Sequence, residues 1–297
     1  MAITLLDGGT GRELARMGAP FRQPEWSALA LIEAPDAVTR VHEAFVQAGA
    51  EVISTNSYAV VPFHLGEAVF AERGHALASL AGRLAREVAN RAPHPVQVAG
   101  ALPPIGGSYR ADQFNAETAR PVLQTLVDAL APYVDHWQAE TLSAIEEAEL
   151  VRDVLGEDVR PLWLSFTLYD EDSLGPPRLR SGQQVDDAVR AAIRLKATAV
   201  LFNCSQPEVM AEAVTVARTV IDKAGSDLHV GVYANAFPPQ RSDAEANAGL
   251  DDIRSDLTEE GYTRFARAWQ RAGATLIGGC CGIGPEHIGA LHRAFKQ

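Results

Sequence analysis

The sequence predicts a (β/α)8 barrel, a TIM barrel, in a single domain that spans residues 1–297. Short β-rich runs alternate with turn-rich loops and with longer segments whose apolar residues recur at helical spacing. This unit occurs eight times in 297 residues, which suits the strand number and the length of such a barrel. A doubly wound open sheet is less favoured, because no Gly-x-Gly-x-x-Gly pattern with a downstream acidic residue follows the first strand.

Each expected strand is a short run of β-branched and other apolar residues bounded by turn residues. The eight runs are residues 3–6, 51–56, 96–100, 134–141, 161–168, 199–204, 228–233 and 274–277. The fifth run is the plainest strand, whereas the fourth alternates poorly between apolar and polar residues. Catalytic groups of a barrel lie on the loops that follow the strands, so the residues after these runs are the site candidates.

Helices are expected between the strands, where apolar residues recur at helical spacing or a capping signal is present. Their ranges are 35–48, a segment within 67–91, 118–132, 143–155, a segment from 185 to beyond 193, 207–223, 258–271 and 285–296. Thr258 is expected to cap one helix, and Ser181 with Gln184 to form a capping box before another. The longest loop, residues 234–256, is expected to be functional or disordered.

Composition excludes several classes of protein. Hydrophobic residues make up 47% of the chain and can form a large core. A formal net charge of −12 argues against nucleic acid or an anionic membrane as a main partner. The N-terminus lacks a signal-peptide pattern, and no apolar run approaches the roughly 20 residues that span a bilayer. We expect a cytoplasmic protein that binds small molecules, and an oligomer is possible.

The cysteines are the most informative residues. Cys204 ends the sixth expected strand, and Cys280 and Cys281 lie in a glycine-rich loop after the eighth. Both strands end on the same rim of a barrel, so the three sulfurs can meet there. Three thiolates suit Zn²⁺ and leave its fourth position open. Two alternatives remain: the cysteines could pack as small buried hydrophobic residues, or the adjacent pair could be redox-active.

A site of three thiolates on a divalent ion favours one kind of chemistry. Its net charge of about −1 weakens the ion as an activator of water, which makes hydrolysis a poor fit. An incoming thiol fits better, because a metal-bound thiol is deprotonated and becomes a nucleophile. The predicted reaction is therefore alkyl transfer onto the sulfur of a substrate.

Several short motifs carry a resemblance to a known family. They are Asp-Gly-Gly-Thr-Gly-Arg-Glu-Leu at 7–14, Thr-Asn-Ser-Tyr at 55–58, Glu-Thr at 140–141, Ser-Phe-Thr at 165–167, Asn-Cys at 203–204 and Gly-Gly-Cys-Cys-Gly at 278–282. In this order they resemble the homocysteine S-methyltransferases. This family of zinc barrels includes the betaine-dependent enzymes and the homocysteine domain of cobalamin-dependent methionine synthase. The resemblance covers nearly the whole chain.

The resemblance implies a role for each motif. Cys204, Cys280 and Cys281 would hold zinc, and the homocysteine sulfur would take the fourth position. Asp7 and Glu140 would hold the amino group of the substrate, which is sensible because carboxylates pair with ammonium.

Further substrate contacts follow from the same resemblance. The backbone near Gly8 and Gly9 would face the substrate carboxylate, and Thr55 and Asn203 could orient these groups. The aromatic residues Tyr58, Tyr233 and Trp163 could line a pocket for a cationic donor, although core packing is the better interpretation of Trp163.

The implied reaction transfers a methyl group from a sulfonium donor, S-methylmethionine or S-adenosylmethionine, to L-homocysteine and gives methionine. Two segments depart from the family pattern: Tyr-Ala-Asn at 233–235 replaces Tyr-Pro-Asn, and the loop at 102–107 differs. Both belong to the rim where the donor would bind. A betaine-type donor or another thiol acceptor therefore stays open, as does a redox-regulated barrel or a zinc-binding or thiol-binding protein without catalysis.

Overall fold

The computed structural model describes residues 2–171, 175–239 and 253–297. It confirms the predicted barrel: one sheet of eight parallel strands has the order β1-β8-β7-β6-β5-β4-β3-β2. A parallel bridge between Leu6 and Val52 joins the two edge strands. The strands are β1 Thr4–Leu5, β2 Val52–Ser54, β3 Gln97–Leu102, β4 His136–Leu142, β5 Leu162–Phe166, β6 Ala199–Asn203, β7 His229–Tyr233 and β8 Leu276–Ile277.

Helices cover the outside of the sheet. They are α1 Thr10–Arg16, α2 Ala28–Glu33, α3 Pro35–Gln47, α4 Pro62–Leu65, α5 Glu67–Arg91, α6 Ala116–Leu130, α7 Ile145–Leu155, α8 Val185–Arg194, α9 Pro207–Ala224, α10 Glu259–Ala272 and α11 Pro285–Lys296. Within the described residues, none of them is both long and apolar enough to cross a membrane. Helices α1, α2 and α4 are additions to the predicted set, and each has seven residues or fewer.

The capping predictions had different outcomes. Thr258 caps α10 as expected, since its side chain accepts a hydrogen bond from the Gly261 N–H at 3.2 Å. The prediction of a capping box formed by Ser181 and Gln184 was wrong. The Ser181 hydroxyl instead donates to the side-chain oxygen of Gln183 at 2.8 Å. A bridge between Arg178 and Gln184 keeps this segment extended, so α8 begins only after it.

The start of α6 was also misplaced. The helix begins two residues before the predicted position of 118, because the Asn115 side chain accepts from the backbone N–H groups of Glu117 and Thr118. This is the usual N-cap arrangement. Most of the predicted long loop, residues 240–252, lies outside the described residues.

Alternate strand residues build two cores, as the two-residue period of a strand requires. A large core fills the space between the sheet and the helices. A smaller cluster lies on the other side of the sheet, in the barrel interior, and Cys280 packs against it. Its members are Leu6, Val52, Ala99, Trp163, Ala199, Leu201, Tyr233 and Leu276. The interior therefore supports the rim where β6 and β8 end.

Strand β4 contains a bulge that explains its poor alternation. Its register against β5 shifts between Ala139 and Leu142, and Thr141 has a φ of 60°. Ala139 and Leu142 both belong to the outer core although three positions separate them. Alternation along the strand turns Glu140 to the barrel interior, and the extra residue after it returns Leu142 to the outer core, where it pairs with Phe166 of β5.

Candidate active site

The three cysteine sulfurs lie together at the carboxyl end of the barrel. The Sγ atoms of Cys204, Cys280 and Cys281 are all within 4.8 Å of one another. The Cys280 Sγ donates to the Cys204 Sγ at 3.1 Å. All three thiols are free, and the cluster combines residues that are 76 positions apart.

Backbone geometry fixes these sulfurs. Cys204 follows β6 with a φ of 50°, a left-handed conformation that turns the chain at the rim. The Cys280 N–H donates to the Ala234 carbonyl at 2.9 Å, and the Cys281 carbonyl accepts from the Ala236 N–H at 2.8 Å. A Cβ on Gly279 would lie 2.1 Å from a side-chain carbon of Ile283, so only glycine fits there. The loops after β7 and β8 thus hold the adjacent cysteines as one unit.

The thiols interact strongly. Hydrogen bonds from Cys204 and Cys280 hold the pKa of the Cys281 thiol well below its ordinary value. The bonds that Cys280 gives to its neighbours, together with burial, raise the pKa of the Cys280 thiol. Three adjacent thiolates need a cation to be stable together. A soft donor set of three sulfurs, at this spacing and partly shielded from water, fits zinc with one coordination position left for a substrate.

Asp7 and Glu140 form the acidic part of the site. Burial raises the pKa of Asp7 to about 8, and the charge of Glu140 adds to the shift. Burial raises the pKa of Glu140 to about 7, and the neighbouring Cys204 contributes in the same direction. Two carboxyl groups that disfavour each other's ionisation make a good site for a cation such as an ammonium group.

Each carboxylate is held by its neighbours. Asp7 follows β1 and accepts hydrogen bonds from the backbone N–H and the hydroxyl of Ser54, at 2.7 and 3.3 Å. Glu140 accepts from the Gln138 amide at 3.3 Å and from the Tyr233 hydroxyl at 3.4 Å. Glu140 is therefore oriented by side chains of the barrel interior.

Gly8 and Gly9, which were predicted to lie at the substrate, allow the loops after β1 and β8 to approach each other closely. A Cβ on Gly9 would lie 2.6 Å from the carbonyl oxygen of Cys280, and one on Gly8 would lie 2.2 Å from that of Ile283. The Gly9 N–H donates to the Ile283 carbonyl at 2.9 Å. The Gly9 N–H is thus used within the protein, whereas the resemblance implied that the backbone near Gly8 and Gly9 would face the substrate carboxylate.

Thr55 and Asn203 make internal hydrogen bonds at strand ends. The Thr55 hydroxyl pairs with that of Ser57 at 2.9 Å and accepts from the Ala101 N–H at 3.0 Å. The Asn203 amide joins the backbone N–H and the hydroxyl of Thr141, at 3.0 and 2.9 Å. Asn203 thereby ties the β4 bulge beside Glu140 to the strand that ends at Cys204.

The aromatic candidates occupy different places. The Tyr58 hydroxyl pairs with that of Ser108 at 2.5 Å, and the Tyr233 hydroxyl contacts Glu140. Trp163 lies in the interior cluster and contacts His136, with ring centroids 4.0 Å apart and the planes tilted by 36°, which agrees with a packing role. Among the described residues, the metal-ligand cluster contains cysteines alone and no histidine.

Two polar residues near the site were not predicted from the sequence. The Tyr109 hydroxyl donates to the Cys204 Sγ at 3.1 Å, across 95 positions. Gln138 is 2% exposed and donates to both Glu140 and Tyr233. Tyr109 lies in a loop without a motif. Gln138, however, lies two positions before Glu140 and so on the same face of the expected strand, and that was a usable signal.

Comparisons with known proteins give a consistent result. The family described as homocysteine S-methyltransferase matches residues 4–295. Homocysteine S-methyltransferase 3 of Zea mays is 28% identical, over 99% of this chain and 90% of the relative. The selenocysteine methyltransferase of Astragalus bisulcatus is 26% identical, over 99% and 92%.

A solved structure agrees with these relatives. The metallated form of the homocysteine methyltransferase MmuM from Escherichia coli aligns with a TM-score of 0.76 and 28% identity. The alignment covers 99% of this chain and 96% of that chain. The resemblance found in the sequence is therefore confirmed, and the chain belongs to the homocysteine S-methyltransferase family.

Proposed function

We propose that this protein transfers a methyl group from a sulfonium donor to the thiol of L-homocysteine, with zinc held by Cys204, Cys280 and Cys281. The observation that carries the proposal is the meeting of the three sulfurs, within 4.8 Å of one another, at the catalytic end of the barrel. Family membership and the metallated MmuM neighbour support it. When bound, zinc would keep the sulfur of the acceptor in its thiolate form.

Asp7 and Glu140 would bind the ammonium group of the acceptor. Burial is the largest cause of the raised pKa values of both side chains, and a cation bound between them would offset this cost of ionisation. An ammonium group between them would stabilise both carboxylates through charge-assisted hydrogen bonds. Ser54, Gln138 and Tyr233 fix the carboxylates for this contact.

The donor is proposed to be S-methylmethionine or S-adenosylmethionine. A thiolate cluster with two nearby carboxylates attracts a cation, and the aromatic residues Tyr58 and Tyr109 are close enough to Cys204 for its charge to act on their hydroxyl groups. In the reaction, the acceptor sulfur forms a bond to the methyl carbon while the bond between that carbon and the donor sulfur breaks. The electron pair stays on the donor, which leaves as a neutral thioether. A betaine-type donor is the alternative.

The acceptor could also be a selenol. The selenocysteine methyltransferase of Astragalus bisulcatus matches the same share of this chain, 99%, as homocysteine S-methyltransferase 3 of Zea mays, at 26% and 28% identity. A selenolate would occupy the same position as a thiolate, since both are soft ligands. Competition between homocysteine and selenocysteine for one labelled donor would give the preference.

The proposal is tested by methyl transfer in the zinc-loaded, reduced protein. Each donor carries a deuterated methyl group, homocysteine carries a carbon-13 label in its backbone, and mass spectrometry follows the methionine that holds both labels. We expect label from a sulfonium donor with the wild type and none with Cys204→Ser. Zinc and homocysteine binding without turnover of any donor would favour a non-catalytic protein. A Cys280–Cys281 disulfide with no zinc after reduction would favour a redox role.

A further inference from the structure

We infer that Tyr109 is a positioning residue for the Cys204 sulfur, to which its hydroxyl donates a hydrogen bond. The inference rests on the proposed function, because it concerns the thiolate cluster as a metal site. The hydroxyl oxygen of Tyr109 lies 3.1 Å from the Cys204 Sγ. The contact joins the loop after β3 to the residue that directly follows β6.

The conformation of Tyr109 needs support from its surroundings. Its φ is 68°, in the left-handed region, which costs a residue other than glycine about 1–3 kcal/mol. The preceding residue, Ser108, is anchored by its 2.5 Å hydrogen bond with the Tyr58 hydroxyl. The loop thus keeps Tyr109 in an unfavourable backbone conformation in which its hydroxyl reaches the Cys204 sulfur. Contacts of the neighbouring residues must stabilise this conformation.

A buried ion pair supports the ring. The Arg180 guanidinium lies over the Tyr109 ring, 4.9 Å from its centroid. Arg180 pairs with Asp170 at 2.6 Å, and the exposed fractions of the two side chains are 2% and 0%. Desolvating such a pair is unfavourable, so it must make further contacts that compensate.

The same ion pair also holds the chain beyond Cys204. Asp170 accepts a hydrogen bond from the Gln206 N–H at 2.9 Å, and its carbonyl accepts from the Gln206 side chain at 3.0 Å. Gln206 is two residues after Cys204 and directly precedes α9. The Arg180–Asp170 ion pair therefore contacts both sides of the hydrogen bond: the ring of Tyr109, and the backbone that follows Cys204.

The hydrogen bond has a defined chemical effect. Three cysteine thiolates and an acceptor thiolate around a divalent ion give a net charge of about −2. A hydroxyl donor withdraws electron density from Cys204 and reduces repulsion between the four sulfurs. Partners of metal ligands typically change metal affinity or activity by about 10–100-fold when they are removed. Tyr109 should therefore strengthen binding of both the metal and the acceptor thiolate.

The test compares Tyr109→Phe with Tyr133→Phe in the full-length protein. Tyr133 precedes β4, at the other end of the barrel, and its hydroxyl contacts that of Ser79 at 3.3 Å. Cobalt(II) is bound in place of zinc, and the sulfur-to-cobalt charge-transfer absorption is recorded. Zinc affinity is measured by competition with a chelator, and homocysteine affinity by titration of the cobalt spectrum.

We expect Tyr109→Phe to move the charge-transfer band to longer wavelength and to weaken zinc and homocysteine binding about tenfold. Tyr133→Phe should match the wild type. If Tyr109→Phe folds poorly, 3-fluorotyrosine at position 109 keeps the ring and strengthens the donor. It should then move the band to shorter wavelength.

Two results would overturn the inference. One is a Tyr109→Phe protein with the spectrum and affinities of Tyr133→Phe. The other is tighter homocysteine binding by Tyr109→Phe, which would mean that the hydroxyl competes with the acceptor sulfur. A wild-type protein without any sulfur-to-cobalt band would instead contradict the proposed function itself, so the two failures are distinguishable.

Discussion

At the scale of single residues, the three cysteines carry the proposed chemistry. Because each sulfur would supply one of three protein ligands, replacement of Cys204, Cys280 or Cys281 by serine should reduce bound zinc from about one per chain to nearly none and activity at least about 100-fold. Metal analysis and the methyl-transfer assay check both effects on the same samples. Wild-type activity in any one variant would exclude a three-cysteine catalytic metal site, provided that circular dichroism shows an intact fold.

Glu140 should act on the substrate rather than on the metal. Glu140→Gln removes one charge from the ammonium site, and a charge-assisted hydrogen bond contributes about 1.5–3 kcal/mol. We expect the KM for homocysteine to rise about 10–100-fold with zinc content unchanged.

Glu147→Gln is the matched control for this substitution. Glu147 is also buried with a pKa of about 7, but it accepts from the backbone of Ser143 and Ala144 at the start of α7. Its replacement should leave the KM unchanged and lower stability alone. Loss of zinc in Glu140→Gln would show instead that Glu140 supports the metal loop.

At the scale of elements, the contact between the loops after β1 and β8 positions the cysteines. In Gly9→Ala the new Cβ would meet the Cys280 carbonyl at 2.6 Å, so one loop must move. We expect weaker zinc binding and destabilisation of about 1–3 kcal/mol. Chelator competition and thermal unfolding give the two quantities.

Gly289→Ala provides the control for a glycine replacement. Gly289 lies in α11, and its new Cβ would meet only an ordinary contact at 3.5 Å. This variant should keep wild-type zinc affinity and gain up to about 1 kcal/mol, because alanine favours helix. If Gly9→Ala bound zinc as well as Gly289→Ala does, the loop contact would not position the sulfurs.

The elements also show what the sequence could and could not predict. Regular strands and long helices follow from periodicity, and Thr258 caps α10 because its signal is local. Ser181 has the same local signal, but a bridge from Arg178 to Gln184 overrides it. The hydrogen bond between Tyr109 and Cys204 depends on loops brought together by the fold, so no short motif could indicate it.

At the scale of the whole molecule, the family signature spans almost the entire chain, and we propose that residues 1–297 fold as one cooperative domain. Calorimetry of the metal-free, reduced protein should then show one unfolding transition. Two separated transitions would indicate two domains.

Buried ionisable groups should make stability depend on pH. The pKa of Asp7 is raised from 3.8 to about 8 in the folded protein, so the folded state binds more protons than the unfolded state between these values. Stability contributed by this group is therefore lost as pH rises towards 8. Burial lowers the pKa values of His42 and His136 to about 4, so these groups make stability increase with pH, but only below about pH 6.5.

The comparison of wild type with Asp7→Asn isolates this effect from the thiols. Between pH 6.5 and 8, the free energy of unfolding of Asp7→Asn should increase relative to wild type by about 1–2 kcal/mol, since one shifted group contributes about 1.4 kcal/mol per pH unit. Denaturant unfolding of the metal-free, reduced proteins measures it. A constant difference across this range would show that Asp7 is already ionised in the folded state.

The proposed zinc site has three cysteine ligands and one position left for the acceptor thiol. The most direct measurement is zinc content with zinc-edge X-ray absorption on reduced protein, before and after addition of homocysteine. We predict about one zinc per chain with three sulfur neighbours, rising to four with homocysteine. Absence of zinc, or a sulfur count that does not change, would contradict the proposed activation of the acceptor.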